Sequence, residues 1–144
     1  MSWAIYKNTY SSKNTFVKTK ITIHYKEKCC EVDAFWDTGA SISHISKRLA
    51  DLLELVPCGE VTIHGHRTSE KANKYIATLV LPTGGYVHDV PLVYGVYENY
   101  GFDIIIGMDI IKTGVFHIDY TGDRPVFTFK HPSEEDIFIE TELF

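Results

Sequence analysis

The sequence predicts an all-β domain of short strands with one helix. Segments in which apolar and polar residues alternate recur along the 144 residues, and turn-forming Gly, Pro, Asn and Asp separate them. A single stretch has apolar residues at helical spacing. Hydrophobic residues make up 44% of the chain and charged residues 23%, which is typical of a globular protein. The length corresponds to one domain, which we place at residues 1–130, followed by a linker and tail at 131–144.

The predicted strands begin with a hairpin. Thr15–Tyr25 alternates well, and after the polar turn 26–28 the segment Cys29–Trp36 returns toward the core. The turn 82–85 connects two later strands, and the turn 121–125 connects two more. These later strands are predicted at Glu60–His64, Tyr75–Leu81, Tyr86–Tyr94, Phe102–Gly107, Val115–Tyr120 and Val126–Lys130.

The predicted helix follows residue 43. Its apolar positions, spaced i, i+4, i+7 and i+8, are Ile45, Leu49, Leu52 and Leu53. Ser43 or Ser46 can cap its start, and Pro57 prevents its continuation. A single helical turn is expected near 109–113, where Asp109 would cap the start and Gly114 would follow the end.

Charge and cysteine content exclude several classes of protein. Fourteen Lys and Arg against nineteen Asp and Glu give a net charge of −5, so binding of nucleic acid through a basic surface is not expected. No apolar stretch approaches the roughly 20 residues of a membrane span, and the first residues do not resemble a secretion signal. Three cysteines without a Cys-x-x-Cys pair indicate reduced thiols and a cytoplasmic protein.

The segment Phe35-Trp36-Asp37-Thr38-Gly39-Ala40-Ser41 carries the chemistry. A hydrophobic strand delivers Asp37 into a turn, which places its carboxylate at the end of a buried strand, facing a cleft. Gly39 lets the backbone turn and approach a partner closely, and the hydroxyls of Thr38 and Ser41 can donate hydrogen bonds. Taken alone, Asp-Thr-Gly could be an ordinary turn, since all three residues favour turns.

A second informative segment, Ile104-Ile105-Ile106-Gly107, lies downstream of the Asp-Thr-Gly segment. Together with the leading hairpin and the Asp-Thr-Gly-Ala-Ser segment, it resembles retropepsin-like aspartic proteases, the one-lobed relatives of pepsin, over about residues 15–120. This resemblance implies a mainly antiparallel, closed, barrel-like acid-protease lobe. It also implies an aspartic endopeptidase that uses neither a cofactor nor a metal.

The family's chemistry would require two copies of this chain. The sequence contains a single Asp-Thr-Gly, whereas two carboxylates sharing one proton are needed to activate water. The resemblance therefore implies a homodimer in which Asp37 of each copy meets at the two-fold axis. Thr38 would lock the two loops together, Gly39 would bind substrate backbone, and Ile105, Ile106 and Gly107 would complete the loop as packing.

A flap is expected between Val61 and Tyr75, with its tip near 64–69. The candidate flap residues are His64, Gly65, His66, Arg67 and Thr68. Gly65 would supply mobility. Two alternatives remain for the histidines: His64 and His66 could be metal ligands on one strand face, or solvated side chains that make the flap sensitive to pH.

Two departures from the viral pattern bear on dimer support. Viral members carry an acidic residue two positions after the signature Gly and an Arg after the second-motif Gly, whereas this chain has Ser41 and Met108. Both partners of the ion pair are therefore replaced together. Asp109 is interpreted as a helix cap rather than a catalytic group. Trp36 is interpreted as core packing, with a role in a substrate pocket as the alternative.

The sequence thus predicts a cytoplasmic, homodimeric aspartic endopeptidase that binds extended peptides and interacts with neither nucleic acid nor membrane. Docking of the apolar tail at the dimer interface is a further expectation. Two other functions remain open. One is a catalytically weak or inactive peptide-binding or dimerisation module with the same fold, and the other is a metal-dependent hydrolase that uses His64 and His66.

Overall fold

The computed structural model describes residues 2–64, 67–95, 100–133 and 137–138. Strands account for 57% of the structure and helices for 8%. The strands are β1 Trp3–Thr9, β2 Val17–Tyr25, β3 Lys28–Trp36, β4 His44–Ser46, β5 Gly59–His64, β6 Ser69–Val80, β7 Tyr86–Gly95, β8 Ile104–Ile106, β9 Val115–Asp119, β10 Val126–Pro132 and β11 Ile137–Phe138. The helices in this part of the chain are α1 Lys47–Leu52 and α2 Met108–Ile111.

Six strands close into a barrel. Their order is β7-β4-β8-β3-β2-β6, and the pairing of β6 with β7 completes the ring. Alternate residues of β2 and β3 point into the barrel, as the period-2 pattern of these strands predicts. The predicted all-β class with a short helix after the Asp-Thr-Gly segment is therefore confirmed.

A second sheet of three strands, ordered β1-β10-β9, packs on the barrel. Trp36 joins the two units: its ring centroid lies 5.2 Å from that of Phe127 and 4.9 Å from that of Phe129, both from β10. Trp36 is 3% exposed, and its indole N–H donates to Thr19 Oγ1 at 2.9 Å. The interpretation of Trp36 as core packing is confirmed.

The helical segments differ from the prediction in detail. Ile45 lies in β4 rather than in the helix, because it pairs with β7 and β8. Leu52 is 56% exposed, although it was expected to face the core. Ser46 is the N-cap of α1, and its hydroxyl accepts a hydrogen bond from the Leu49 N–H at 3.1 Å. The second helix, α2, starts after Gly107 and ends at Ile111.

Beyond residue 130 the structure describes residues 131–133 and 137–138, and strands β10 and β11 include most of them. His131 is 1% exposed in β10, with Nε2 2.6 Å from Thr83 Oγ1. Ile137 and Phe138 pair in parallel with β7. Residues 134–136 and 139–144 lie outside the described residues, so the domain division and the docking of the tail at a dimer interface stay predictions.

Candidate active site

The end of β3 positions Asp37. Trp36 pairs with Ile106 of the parallel strand β8, and the Asp37 N–H continues the ladder by donating to Ile106 O at 2.8 Å. The core-facing residues of β3 become buried toward its end, ending with Trp36. The half-buried Asp37 therefore comes directly after a rigid, buried strand, as the sequence predicts.

The loop that follows orients the carboxylate. The Gly39 N–H donates to Asp37 Oδ1 at 2.8 Å, and the Ala40 N–H donates to Asp37 O at 3.2 Å. A Cβ atom at Gly39 would lie 3.2 Å from Asp37 Oδ1, which is a tight contact. Thr38 and Gly39 are exposed, so a second molecule can reach both of them.

The strand β8 and Gly107 pack against the Asp37 loop. Ile105, Ile106 and Gly107 are buried, and the Met108 N–H donates to Ala40 O at 2.7 Å. A Cβ atom at Gly107 would lie 2.6 Å from Ile42 O and 2.8 Å from Ala40 O. The two sequence motifs therefore meet in space, and the glycine of the second motif is required by this close backbone approach.

A buried hydrogen-bond network joins the two loops through Ser43 and Asp109. The Ser43 hydroxyl donates to Asp109 Oδ1 at 2.8 Å and accepts from the Gly107 N–H at 3.0 Å. The Ser43 and Ile110 N–H groups also donate to the Asp109 carboxylate. Asp109 is 2% exposed, and burial raises its pKa although these hydrogen bonds lower it.

The prediction that Asp109 is the N-cap of a helix is therefore wrong. Gly107 is the N-cap of α2, and Asp109 lies in the first turn of that helix. Its carboxylate accepts one bond from within the turn and two from Ser43. A polar residue between apolar neighbours just after Gly107 was the available signal, but its partner 66 residues away could not be read from local pattern.

His44 is a second site residue that sequence reasoning missed. It is the first residue of β4, is half-buried, and experiences the charges of Asp109 and Asp37. Burial lowers the pKa of His44, while the two carboxylates act in the opposite direction. An imidazole is therefore placed beside the Asp37 loop, and the available signal was the mixture of polar and apolar residues over 41–46, which is typical of a strand.

An open cleft of about 650 Å³ runs along this loop. Its lining residues come from the Asp37 loop and β4 on one side and from β5 on the other: Gly39, Ala40, Ser41, Ile42, His44, Glu60, Val61, Thr62, Ile63 and His64. The wall formed by β5 belongs to a hairpin, because β5 pairs antiparallel with β6 from Gly59↔Lys74 to His64↔Ser69.

Of the candidate flap residues, His64 ends β5, and Arg67 and Thr68 precede β6. His64, Arg67 and Thr68 are exposed, and of these His64 lines the cleft. Gly65 and His66 lie outside the described residues, and so does the metal alternative that needs His66. Within the described ranges, no group of three or more His, Cys, Asp or Glu side chains could hold a metal ion.

Ser41 and Met108 are the two residues that the sequence resemblance compares with the viral ion pair. Ser41 is exposed and lines the cleft, whereas Met108 is half-buried and packs against the core.

The cysteines and the helices bear on the environment of the protein. Among the described residues Cys29, Cys30 and Cys58 are free thiols, and neither α1 nor α2 is long and apolar enough to cross a membrane.

Comparison with known proteins gives structural matches alone. No family model matches the chain, and no curated protein matches it. The structure is similar to a retropepsin-like aspartic protease from Rickettsia conorii, with a TM-score of 0.65 and 14% identity over 91% of this chain and 95% of that one. It is also similar to the retroviral protease-like domain of Ddi1 from Leishmania major, with a TM-score of 0.51 and 20% identity over 90% and 98% of the two chains. The chain therefore has the retropepsin-like fold.

Proposed function

We propose that the chain is an aspartic endopeptidase that hydrolyses peptide bonds with water activated between two Asp37 carboxylates, one from each subunit of a homodimer. The observation that carries this proposal is the geometry of Asp37. Asp37 is half-buried at the end of a buried strand, and its carboxylate is oriented by the Gly39 N–H. The loop that follows it, from Gly39 to Ile42, lines an open cleft.

Two adjacent carboxylates supply both halves of the chemistry. Like charges about 3 Å apart cannot both ionise, so the pair shares one proton. The ionised group accepts a proton from water, and the protonated group donates to the carbonyl oxygen or the leaving nitrogen. The resulting pKa values belong to the pair and not to either Asp37.

The need for two subunits follows from the single Asp-Thr-Gly of the sequence. Each chain supplies half a site, and an isologous contact brings the halves together. The exposed Thr38 hydroxyl would bond to the opposite loop, and the exposed Gly39 would contact substrate backbone. Ile105, Ile106 and Gly107 support the loop as buried packing.

The cleft suits a peptide in an extended conformation. In the described structure β5 is the last strand of its sheet, so one of its edges has no neighbouring strand, and its residues line the cleft. An extended substrate would pair with such an edge through backbone hydrogen bonds. The β5–β6 hairpin would act as the flap, and its candidate residues remain His64, Gly65, His66, Arg67 and Thr68.

The proposal includes a cytoplasmic location and no metal or other cofactor. The cytoplasmic location is supported by the free thiols of Cys29, Cys30 and Cys58, because free thiols are typical of a reducing compartment. The proposed partners are a second copy of the chain and a peptide or protein substrate.

The first prediction tests Asp37 directly. Asp37→Asn is expected to lower the hydrolysis of a peptide library at mildly acidic pH by at least about 100-fold, because the pair loses its shared proton chemistry. Sedimentation should still show a dimer, since the amide can occupy the same position. Asp123→Asn, at an exposed turn residue, serves as the matched control and should retain full activity.

Two outcomes would overturn the proposal. If Asp37→Asn cleaves peptides as fast as wild type, Asp37 is not the catalytic carboxylate. If wild type cleaves no peptide but binds peptides in the cleft, the chain is instead the peptide-binding module of the same fold. Inhibition of hydrolysis by a pepstatin-type compound gives an independent reading, because such a compound occupies a paired-carboxylate site.

A further inference from the structure

His44 occupies an unusual position in the cleft. It starts β4, where its backbone pairs with Ile105 of β8 and with Val93 of β7. Strands on both sides therefore hold its backbone, while its side chain lines the cleft. A side chain on such a rigid element can discriminate between substrates better than one on a mobile loop.

The surrounding cleft wall is otherwise largely apolar or uncharged. Ile42, Val61 and Ile63 are half-buried aliphatic residues, and Ser41 and Thr62 are uncharged. Of the described lining residues, Glu60 and His64 are the other ionisable ones, and both are exposed on β5. On the side of the cleft formed by the Asp37 loop and β4, His44 is therefore the ionisable residue among the described lining residues.

Burial and the neighbouring carboxylates together set the direction in which the pKa of His44 is shifted. Asp37 and Asp109 favour the imidazolium, and burial opposes it more strongly, so the pKa of His44 lies below its usual value. The pairing residues on β7 and β8, Val93 and Ile105, are apolar. Asp109 is buried, and its oxygens accept hydrogen bonds from Ser43 and Ile110, whereas His44 lines the cleft.

We propose that His44 is a specificity-determining residue that selects substrates carrying a Glu or Asp side chain in the subsite between the Asp37 loop and β5. This inference rests on the proposed endopeptidase function. In its neutral form the imidazole can hydrogen-bond a polar side chain, and in its cationic form it forms a charge-assisted bond to a carboxylate. The preference for an acidic side chain over its amide therefore increases as the pH falls toward the range in which His44 ionises.

The test compares paired peptides. A cleaved parent peptide is varied by placing Glu or Gln at each position on either side of the scissile bond, and kcat/KM is measured at pH 5 and at pH 7.5. At one position the Glu/Gln ratio should be about fivefold higher at pH 5, the size expected for a partly exposed ion pair. In His44→Gln this increase at pH 5 should be lost, because the amide cannot become a cation.

Two further variants separate His44 from other histidines. His117→Gln, at an exposed residue on β9, should retain the ratio of the wild type at both pH values. If His64→Gln abolishes the pH dependence and His44→Gln does not, the exposed histidine of β5 is the determinant and the proposal is wrong.

A measurement on the wild type covers the possibility that His44→Gln fails to fold. Proton NMR titration of the His44 ring should give a higher pKa with a Glu peptide bound than with the matching Gln peptide, because a neighbouring carboxylate favours the imidazolium. Equal pKa values with both bound peptides would refute the proposal.

The outcomes also separate this proposal from the proposed function. Cleavage that depends on Asp37 but shows a Glu/Gln ratio independent of His44 retains the endopeptidase and overturns the specificity. Peptides that are bound with a preference dependent on His44, yet are not cleaved, support the specificity and overturn the endopeptidase. If no peptide is cleaved or bound, both proposals are overturned.

Discussion

Asp109 is a buried carboxylate, with 2% of the residue exposed. Three hydrogen bonds stabilise its charge, from the Ser43 N–H, the Ser43 hydroxyl and the Ile110 N–H. Burial nevertheless raises its pKa. Because the Ser43 hydroxyl also accepts from the Gly107 N–H, the network connects both loops of the candidate site within one chain.

The pH dependence of stability follows from the raised pKa of Asp109. Between the unfolded and folded pKa values the native state holds a proton that the unfolded chain has lost, so the stability from this group is complete below the unfolded pKa. It is lost as the pH rises through the folded pKa. Asp109→Asn removes this dependence and also leaves at least one N–H donor facing the amide NH₂, at a cost of about 1–3 kcal/mol.

We therefore expect Asp109→Asn to be less stable than wild type, with a difference in unfolding free energy that decreases from pH 4 to pH 7.5. Urea unfolding at several pH values measures this difference. Asp123→Asn, at an exposed residue, should differ little from wild type throughout. A difference that grows with pH would contradict the assignment.

At the scale of elements, the junction of β8 and α2 determines the shape of the candidate site. Gly107 has φ −94° and ψ −173°, which any residue can adopt, so the demand for glycine comes from space and not from backbone conformation. A Cβ atom at Gly107 would collide with the backbone oxygens of Ala40 and Ile42. These oxygens belong to the Asp37 loop, which cannot move without displacing the carboxylate.

Gly107→Ala is therefore expected to destabilise the fold by about 3 kcal/mol, the upper part of the range for overpacking. Peptide cleavage should fall with it, because the Asp37 loop shifts. The matched control is Gly122→Ala, where an added Cβ has no atom within 4 Å. Thermal unfolding compares the two variants, and equal stability of both would show that the backbone accommodates the methyl group.

At the scale of the whole molecule, the proposed enzyme works only as a pair. If subunits exchange freely, mixing equal amounts of wild type and Asp37→Asn gives about one quarter of dimers with two intact Asp37 residues. Activity per wild-type chain should then fall to about half. Assays of mixtures after equilibration measure this, and activity per wild-type chain that stays constant would mean that one chain carries a complete site.

Local patterning accounts for the parts of the fold that were predicted correctly. The alternation in β2 and β3 and the turn residues between them place a hairpin before Asp37, and the apolar run of β8 places a buried strand before Gly107. The strand β1 was missed because its inward residues are Ala4, Tyr6 and Asn8, a weak apolar face. Its conformation depends on seven residue pairs with β10, at the other end of the chain.

The sequence by itself determined the position of Asp37 at the end of a hydrophobic strand, because strand period and turn chemistry are local properties. The tertiary structure decided the rest of the candidate site. It placed Ser43 against Asp109 across 66 residues, and it placed Ile45 in β4 rather than in the helix. These outcomes depend on pairing between distant strands, where burial and hydrogen bonding outweigh local propensity.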